Sequence, residues 1–285
     1  MKAIFPIAIA LHGLIHLLGF AKSFNLAPVE KLSDPIPKAA GIFWLAATLL
    51  FLVAAFLLYF EKGYWWMPAI AGVILSQNLI FTTWHDAKFG TILNVILLVV
   101  TLVGYCTWSF VRTYEHEVIS TLNKSALHLD SILTETDLVS LPTPVKRYLR
   151  YSGAVGRPKV KNFKIEFTGK IRKDETSEWM PFASEQYNFV DPPTRLFFMN
   201  ATMNHLPVAG FHSFKNGTAF MDIRLLSFIK VQYQSGKEMD IAETVTFFND
   251  MCCMAPATLI DKRITWLESD STKAKAAFSN NGITI

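Results

Sequence analysis

Residues 39–60 have the sequence AAGIFWLAATLLFLVAAFLLYF, with no charged side chain. An α-helix needs about 20 such residues to cross the roughly 30 Å hydrocarbon core of a bilayer. Three other stretches of the chain have the same character. The four charge-free runs are Ala3–Ala21, Ala39–Phe60, Gly63–Trp84 and Phe89–Val111. The sequence therefore predicts four membrane spans.

The remainder of the chain has a different composition. Of the 285 residues, 51% are hydrophobic and 18% are charged, but charges become frequent only from Arg112 onward. We predict a four-transmembrane-helix domain over residues 1–111, a helical connector over 112–140 and a soluble α+β domain over 141–285. The predicted fold class is a membrane all-α four-helix bundle followed by an α+β domain with a mainly antiparallel sheet.

The charge distribution gives no nucleic-acid signature, since the net charge is only +4. One local excess lies between Lys146 and Lys173, where ten basic residues face a single acid, Glu166. Two interpretations stay open: a solvated protein face, or contact with anionic membrane lipids. Lysine and arginine counts in the loops are nearly balanced, so only this basic stretch favours a cytoplasmic C-terminal domain.

Polar residues inside the spans are the best functional leads there, because they are costly in hydrocarbon. His12 and His16 are four residues apart and share one helix face. His85 and Asp86 follow the third predicted span, and Asn94 begins the fourth. Counting residues from the span ends places these groups in one leaflet, opposite the soluble domain. Gln77 and Asn78 are further polar residues of the third span.

Three interpretations of the His12, His16, His85 and Asp86 cluster stay open. Its nitrogen and oxygen donors suit a divalent metal, and its histidines suit haem. It could instead handle protons, or it could only join the helices through hydrogen bonds. No complete catalytic motif occurs in the chain, so the sequence leaves open whether the protein is an enzyme.

The soluble part shows strand patterns. Phe163, Ile165, Phe167 and Ile171 alternate with charged residues, which predicts a strand with one buried face. A helix is predicted with Asp240 as its N-cap and Glu243 completing a capping box. Asp191-Pro-Pro, Lys215-Asn-Gly and Asn280-Asn-Gly predict turns. The other predicted strands are Met180–Val190, Arg195–Asn200, Ala219–Tyr233, Arg263–Glu268, Lys273–Phe278 and a returning strand from Ile283.

Reactive side chains of the soluble part give weaker leads. His205 and His212 flank a predicted turn at Pro207–Gly210, and loop histidines are usually surface groups. Cys252 and Cys253 lack a neighbouring base in the sequence and are predicted to be core thiols of the helix. The returning strand at Ile283–Ile285 predicts that further strands follow in a longer chain.

The segment from Leu141 to Ile285 resembles an uncharacterised bacterial family of unknown function. The resemblance rests on LPTPVKRYL at residues 141–149, Trp179 and Phe182 with Gln186, the Glu243 helix, Pro256 and Trp266. In that family a similar domain occurs alone or behind membrane segments. The four predicted spans imply a multi-pass membrane protein, and with the bacterial resemblance the expected location is the bacterial inner (cytoplasmic) membrane. The order of strands and helix is similar to that of open half-barrels that carry lipids or lipoproteins.

The favoured function is therefore binding of a lipid or other apolar ligand at the membrane surface. The predicted ligand-binding residues are Phe167, Trp179, Phe182, Gln186 and Phe197. The first alternative is a metal- or haem-dependent membrane enzyme or redox protein that uses the histidine and aspartate cluster. The second alternative is a structural or assembly subunit. The sequence leaves the oligomeric state open.

Overall fold

A computed structural model describes residues 3–30, 32–125, 131–172, 174–204 and 206–285. His205, Lys173 and part of the predicted connector lie outside these ranges. The chain forms two compact units, Met1–Ser109 and Phe110–Ile285.

The first unit is helical. Among the residues that the structure describes, three helices are long and apolar enough to cross a membrane: Ile4–Ser23, Lys38–Tyr59 and Gly90–Ser125. The third predicted span forms an apolar helix of only 17 residues. Three of the four predicted spans thus form helices that are candidates to cross a membrane, which suggests a multi-pass membrane protein. The helices are α1 (Ile4–Ile15), α2 (Leu17–Ser23), α3 (Lys38–Tyr59), α4 (Trp66–Thr82), α5 (Trp84–Ala87) and α6 (Gly90–Ser125).

Glycines allow the first helices to pack closely. A Cβ atom on Gly13 would lie 2.7 Å from Cβ of Phe51, and one on Gly19 would lie 2.2 Å from the Trp44 ring. Both contacts are far below van der Waals distance, so α1 and α2 can approach α3 only because these positions lack a side chain. Large apolar side chains such as Ile4 and Phe56 are exposed on these helices, as expected for surfaces that face lipid.

Helix α6 has 36 residues and is therefore about 54 Å long at 1.5 Å per residue. That length exceeds the roughly 30 Å hydrocarbon thickness. Its last turns belong to the second unit, where Phe110, Tyr114 and Val118 pack on Phe198 and Phe211. Part of the segment predicted as a connector is thus the end of this helix.

The second unit contains a six-stranded antiparallel sheet in which neighbours in the chain are neighbours in the sheet. A separate sheet of three strands follows. This open antiparallel sheet with packed helices confirms the predicted α+β class. The strands are β1 (Asn162–Ile171), β2 (Met180–Phe189), β3 (Thr194–Met203), β4 (Leu206–Lys215), β5 (Thr218–Leu225), β6 (Ile229–Ser235), β7 (Ile264–Ser269), β8 (Ala274–Asn280) and β9 (Ile283–Thr284).

Two hairpin turns form where the sequence predicts them. Asn216 and Gly217 join β4 to β5 with φ of 53° and 75°, and Asn281 and Gly282 join β8 to β9 with φ of 48° and 81°. Positive φ at both central residues matches the twist of a two-residue hairpin, and asparagine and glycine adopt it at least cost. These local signals were sufficient to place the turns.

The predicted strand Ala219–Tyr233 is wrong as a single element, because it is divided into β5 and β6. Leu226 and Ser227 have φ of 54° and 61° and reverse the chain. Neither residue type favours positive φ, so the sequence carries no turn signal at this point.

The predicted turn at Pro207–Gly210 is also wrong, because these residues belong to β4. Proline is tolerated as the second residue of the strand, near its start, where a missing N–H costs least. His212 consequently lies in a central strand, paired with Phe197 of β3 and Met221 of β5.

Two helices, α7 (Thr143–Tyr151) and α8 (Lys237–Met254), contribute to the core on the other side of the sheet from α6. Phe247 of α8 is fully buried and its ring lies 6.0 Å from Phe214 of β4 and 6.1 Å from Phe278 of β8. Val145 and Leu149 of α7 join the same core. Helices therefore pack against both faces of the main sheet.

Helix α8 begins at Lys237, and its N-cap, Gly236, lies four residues before the predicted N-cap Asp240. Asp240 is not the cap, because its carboxylate accepts the backbone N–H of Ala219 at 2.6 Å. Glu243 is not part of a capping box either, since it is buried against the sheet. Tertiary contacts between α8 and β5 have overridden the local capping signal.

Candidate functional site

A buried hydrogen-bond network joins the membrane helices. His12 Nε2 lies 2.9 Å from Asn94 Oδ1, and His16 Nε2 lies 2.8 Å from Ser76 Oγ. Asn94 Nδ2 donates to Ser76 Oγ at 2.9 Å. All four side chains are at most 6% exposed. Three helices, α1, α4 and α6, therefore meet at this network.

The donors and acceptors of the network have one consistent arrangement. His16 Nδ1 faces the backbone carbonyl of His12 at 3.0 Å, so this nitrogen carries the proton and Nε2 accepts the hydroxyl proton of Ser76. Asn94 Oδ1 can only accept, so His12 Nε2 carries a proton. His12 Nδ1 is then an acceptor in the neutral ring, and it is buried without a partner in the described part of the chain.

The sequence found His12, His16 and Asn94 but missed Ser76, which is fully buried at the centre of the network. Asn78, predicted as a further polar residue of the third span, donates to the backbone carbonyl of Ile74 on its own helix at 2.8 Å. Gln77 extends the network from Asn94 to Thr91. A serine in an apolar helix is a weak signal, because it often bonds its own backbone.

The other half of the predicted cluster is separate from this network. His85 Nδ1 lies 3.1 Å from Asp86 Oδ1, and the His85 side chain is 88% exposed. Asp86 also accepts the hydroxyl of Ser33 at 2.9 Å. His12, His16 and Asp86 line one cavity. Among the described residues no three His, Cys, Asp or Glu side chains are grouped to hold a metal ion, so metal or haem ligation stays a prediction.

We expect Asp86 to remain ionised to unusually low pH. Hydrogen bonds from His85 and from the side chain and backbone of Ser33 lower its pKa from 3.8 to about 2. Because the folded pKa is depressed, the stabilisation is present above the unfolded value and is lost as pH falls through about 2. Carboxyl carbon NMR of labelled aspartate in detergent should show this titration. In Ser33→Ala the shift should become smaller but persist, because the bond from His85, the largest cause, and the Ser33 backbone bond are kept. A wild-type midpoint near 4 would contradict the assignment.

The second unit contains a buried ionic network between its main sheet and α8. The Arg195 guanidinium of β3 donates to Glu243 Oε2 at 2.9 Å, to Asp250 Oδ2 at 3.1 Å and to Gln186 Oε1 at 2.8 Å. Gln186 and Asn188 of β2 also donate to Asp250 Oδ2, at 2.7 and 3.0 Å. Arg195 thus makes three hydrogen bonds, and two more bonds join its acceptor Asp250 to β2.

Two effects act in opposite directions on the pKa of the Glu243 carboxyl group. Burial acts to raise its pKa, but the His212 imidazole, whose Nδ1 is 3.8 Å away, and the Arg195 guanidinium lower it further than burial raises it. The carboxylate is therefore charged at neutral pH. One arginine then faces two carboxylates, Glu243 and Asp250. The sequence predicted His212 as a surface loop residue, but its side chain is only 20% exposed.

The same side of the sheet continues into an apolar surface. Side chains two and four residues along each strand from the ionic network point to the same face, because strand side chains alternate. We call this surface the open face. It consists of a first row, Phe167, Ser184, Met199, Gly210 and Ile223, and a second row, Gly169, Phe182, Ala201, Val208 and Leu225, each paired across the strands in that order.

The open face is partly exposed and contains an unsatisfied hydroxyl. Phe167 is 39% exposed, and Phe182, Met199 and Ile223 are half-buried. Ser184 lies between Phe167 and Met199 in the first row, is only 7% exposed, and its Oγ has no partner among the described residues. Such a group is costly unless something bonds it. Ser184 was missed because a serine within a strand carries no functional signal.

The five predicted ligand-binding residues lie in different parts of the second unit. Phe167 and Phe182 belong to the open face, and Phe197 lies next to it with its ring 5.2 Å from the His212 ring. Gln186 is 2% exposed and its amide is used within the ionic network. Trp179 precedes β2, and the Arg172 guanidinium lies 4.6 Å from its ring. The structure thus brings three of the five toward one surface.

Other residues that the sequence analysis considered for function have structural roles in the second unit. Burial raises the pKa of the Cys252 thiol to about 11, so it is protonated at neutral pH and unsuited to nucleophilic chemistry. In the basic stretch, Lys159 pairs with Asp137 and Lys164 pairs with Glu166 and Glu185. These pairs reduce the positive charge that a lipid headgroup would meet.

Comparison with known proteins adds a family assignment. Neither a curated protein nor a solved structure matches the chain. A family of unknown function, DUF6544, matches residues 131–285, which is just over half of the chain. This range includes the main sheet, the ionic network and the open face. The chain therefore belongs to the DUF6544 family, in which no activity is established.

Proposed function

We propose that this protein is an integral membrane protein whose second unit binds a lipid or another apolar ligand on the open face of its six-stranded sheet. The observation that carries the proposal is a partly exposed apolar surface built around the unpartnered hydroxyl of Ser184. A ligand with an apolar body would cover the surface, and an acceptor group on it would bond that hydroxyl once the side chains over Ser184 move aside.

Apolar contact would supply most of the affinity. Each methylene removed from water contributes about 0.8 kcal/mol, whereas one hydrogen bond to Ser184 contributes about 0.5–1.5 kcal/mol. A chain of several methylenes therefore outweighs the hydroxyl, whose role would be to orient the ligand. The candidate membrane spans of the same chain support a lipid, because they tether the sheet where lipids are abundant.

The curvature of the main sheet bears on this proposal. We infer that the sheet is the open half-barrel predicted from its strand order, which would give the open face a concave shape. The irregular register between Ile223 and Arg224 supports this inference, because a bulge increases the local twist of a strand. Gly210, in the same row as Ile223, leaves space in the middle of the face.

The first test maps ligand contacts on the full-length protein in nanodiscs. A photoactivatable fatty acid that carries a diazirine would be cross-linked, and the labelled peptides identified by mass spectrometry. We expect labelled peptides from β2, β3 and β4 in addition to lipid-facing helices. Labelling confined to residues 1–109 would contradict the proposal and favour a structural or assembly subunit.

Substitutions on the open face should separate affinity from folding. Met199→Glu places a carboxylate in the first row, and its desolvation under a ligand should lower labelling at least about tenfold. Val139→Glu is the matched control, because Val139 is 71% exposed and lies outside the sheet. Equal labelling of the two variants would argue against the open face.

Ser184→Ala should have opposite effects on stability and binding. Removing an unsatisfied buried hydroxyl should stabilise the unliganded unit by roughly 1 kcal/mol, while ligand affinity falls about two- to tenfold. Thermal unfolding and competition by unlabelled fatty acid measure the two effects. A loss of stability without a loss of affinity would show that Ser184 serves only the fold.

A further inference from the structure

Three chain reversals lie at the same end of the six-stranded sheet. Consecutive strands are antiparallel neighbours, so the connections from β1 to β2, from β3 to β4 and from β5 to β6 share one end. We call this the hairpin end. The connections from β2 to β3 and from β4 to β5 lie at the opposite end.

Each of the three hairpins exposes large apolar side chains at the hairpin end. Trp179 and Phe228 are 56% and 51% exposed, and Leu206 is 44% exposed. Several exposed apolar side chains on one surface mark a site of contact with a membrane or with another protein. The exposed apolar residues of the hairpin end are Ile171, Trp179, Met203, Leu206, Phe228 and Ile229.

The opposite end of the sheet has a different character. Its strands begin or end on polar residues, namely Asn162, Thr194, Lys215, Thr218 and Ser235. Phe189, which pairs with Thr194 there, is 1% exposed. The two ends of one sheet therefore differ in what they present to their surroundings.

Helix α6 enters the second unit at the hairpin end. Arg224, which pairs with Lys230 beside this end, has its Cζ 4.2 Å from the centre of the Phe110 ring. Two turns later, Glu117 accepts from Lys215 Nζ at 2.8 Å, at the opposite end. The charge-free run of this helix ends at residue 111. The apolar segment predicted to cross the membrane thus ends level with the hairpin end.

This position identifies what covers the exposed side chains. A bilayer that contains the charge-free run of α6 has its surface near Phe110, which is where the hairpin end lies. Tryptophan favours the membrane interface, and the Arg172 guanidinium, 4.6 Å from the Trp179 ring, can extend to the headgroups. We propose that the hairpin end of the second unit inserts its apolar side chains into the interface of the lipid bilayer.

The inference goes beyond ligand binding by the open face and does not rest on it. The two can fail separately, because Met199→Glu alters the open face and leaves the hairpin end unchanged. They are also connected, since Phe182 and Val208 of the second row lie two residues from the strand ends Met180 and Leu206. Under the proposed function, docking at this end would give a lipid a path from the bilayer to the open face.

The test measures how near each end of β6 lies to the acyl chains of a bilayer. Dansylalanine would be incorporated in place of Phe228 in one sample and of Ser235 in another. Both positions are exposed, and Ile229 and Ser235 are about 20 Å apart along the strand. The full-length protein would be placed in phosphatidylcholine nanodiscs that contain phosphatidylcholine with a nitroxide at carbon 5 of an acyl chain.

We expect the nitroxide to quench the label at position 228 at least about threefold more than the label at 235, since only the hairpin end reaches the interface. Equal quenching at the two positions would overturn the proposal. Aqueous iodide separates lipid from protein as the cover. A label at 228 that is shielded from iodide but not quenched by the nitroxide would show that a protein covers this end, and would also overturn the proposal.

A double variant tests whether the apolar side chains cause the docking. Trp179→Ser with Leu206→Ser removes apolar surface from the other two hairpins while the label stays at position 228. Quenching by the nitroxide should fall at least about twofold, because interfacial binding scales with buried apolar area. Unchanged quenching in this variant would overturn the proposal.

Tyr151→Ser with Val139→Ser is the matched control for the double variant. Tyr151 and Val139 are 90% and 71% exposed and lie outside the sheet. Their replacement removes comparable exposed apolar surface and should leave quenching at position 228 unchanged. An equal fall in the two double variants would mean that the hairpin end has no special role, which would contradict the proposal.

Discussion

Replacing Arg195 with methionine should destabilise the second unit by about 3–5 kcal/mol, because it removes the only arginine that faces two buried carboxylates in the described network. Arg195 and Glu243 side chains are 9% and 7% exposed, and Asp250 is 17% exposed. The methionine would fill much of the space but leave both acids without their cation. Hydrogen–deuterium exchange of peptides from β3 and α8, measured in urea on the detergent-solubilised chain, would report the loss.

Two further variants identify the cause. Adding Glu243→Gln and Asp250→Asn to Arg195→Met should recover part of the stability, because the buried negative charges are gone. Arg150→Met is the matched surface control. Arg150 pairs with Glu135 through two hydrogen bonds, but both side chains are more than half exposed, so little change is expected. A similar loss in both arginine variants would show that burial is not the reason.

Phe247→Ala should also destabilise the second unit by about 3–5 kcal/mol, the usual result of removing a buried aromatic ring. Phe247 is fully buried between Phe214 and Phe278. Its loss opens a cavity where α8, β4 and β8 meet. For a unit of this size, the expected fall in Tm is roughly 6–20 °C, measurable by thermal unfolding of the full-length protein in detergent.

Phe228→Ala is the control for this prediction. Phe228 is 51% exposed in the turn between β5 and β6, so its removal opens no cavity and should shift Tm little. If Phe247→Ala were as mild as this control, α8 could not be the cover that the structure assigns to this side of the sheet. The ionic network beneath it would then be accessible to water.

Local signals explain which parts of the fold were predictable. Positive-φ residues in the Asn216-Gly217 and Asn281-Gly282 turns are of types that adopt this backbone at low cost, so the hairpins were correct. The turn at Leu226 and Ser227 uses residues without that preference, and it was missed. Asp240 had the right type and spacing for an N-cap, but contact with Ala219 determined its actual role.

In the candidate sites too, residues with a local sequence signal were predicted and residues without one were missed. His12, His16 and Asn94 were found because polar side chains in hydrocarbon are rare and costly. Ser76 was missed because a serine hydroxyl can bond its own helix and so carries little information. Arg195 and Asp250 lie 55 positions apart in the chain, and no local pattern joins them.

By itself, the sequence determined the division into charge-free helices and a charged α+β unit, because hydrophobic length and strand alternation are properties of neighbouring residues. It also determined that polar groups would be buried among the helices. Only the tertiary structure decided that His12 meets Asn94 while His85 meets Asp86, and that Ser184 lies unpartnered on an open face. These contacts join residues far apart in the chain, and packing rather than local preference selects them.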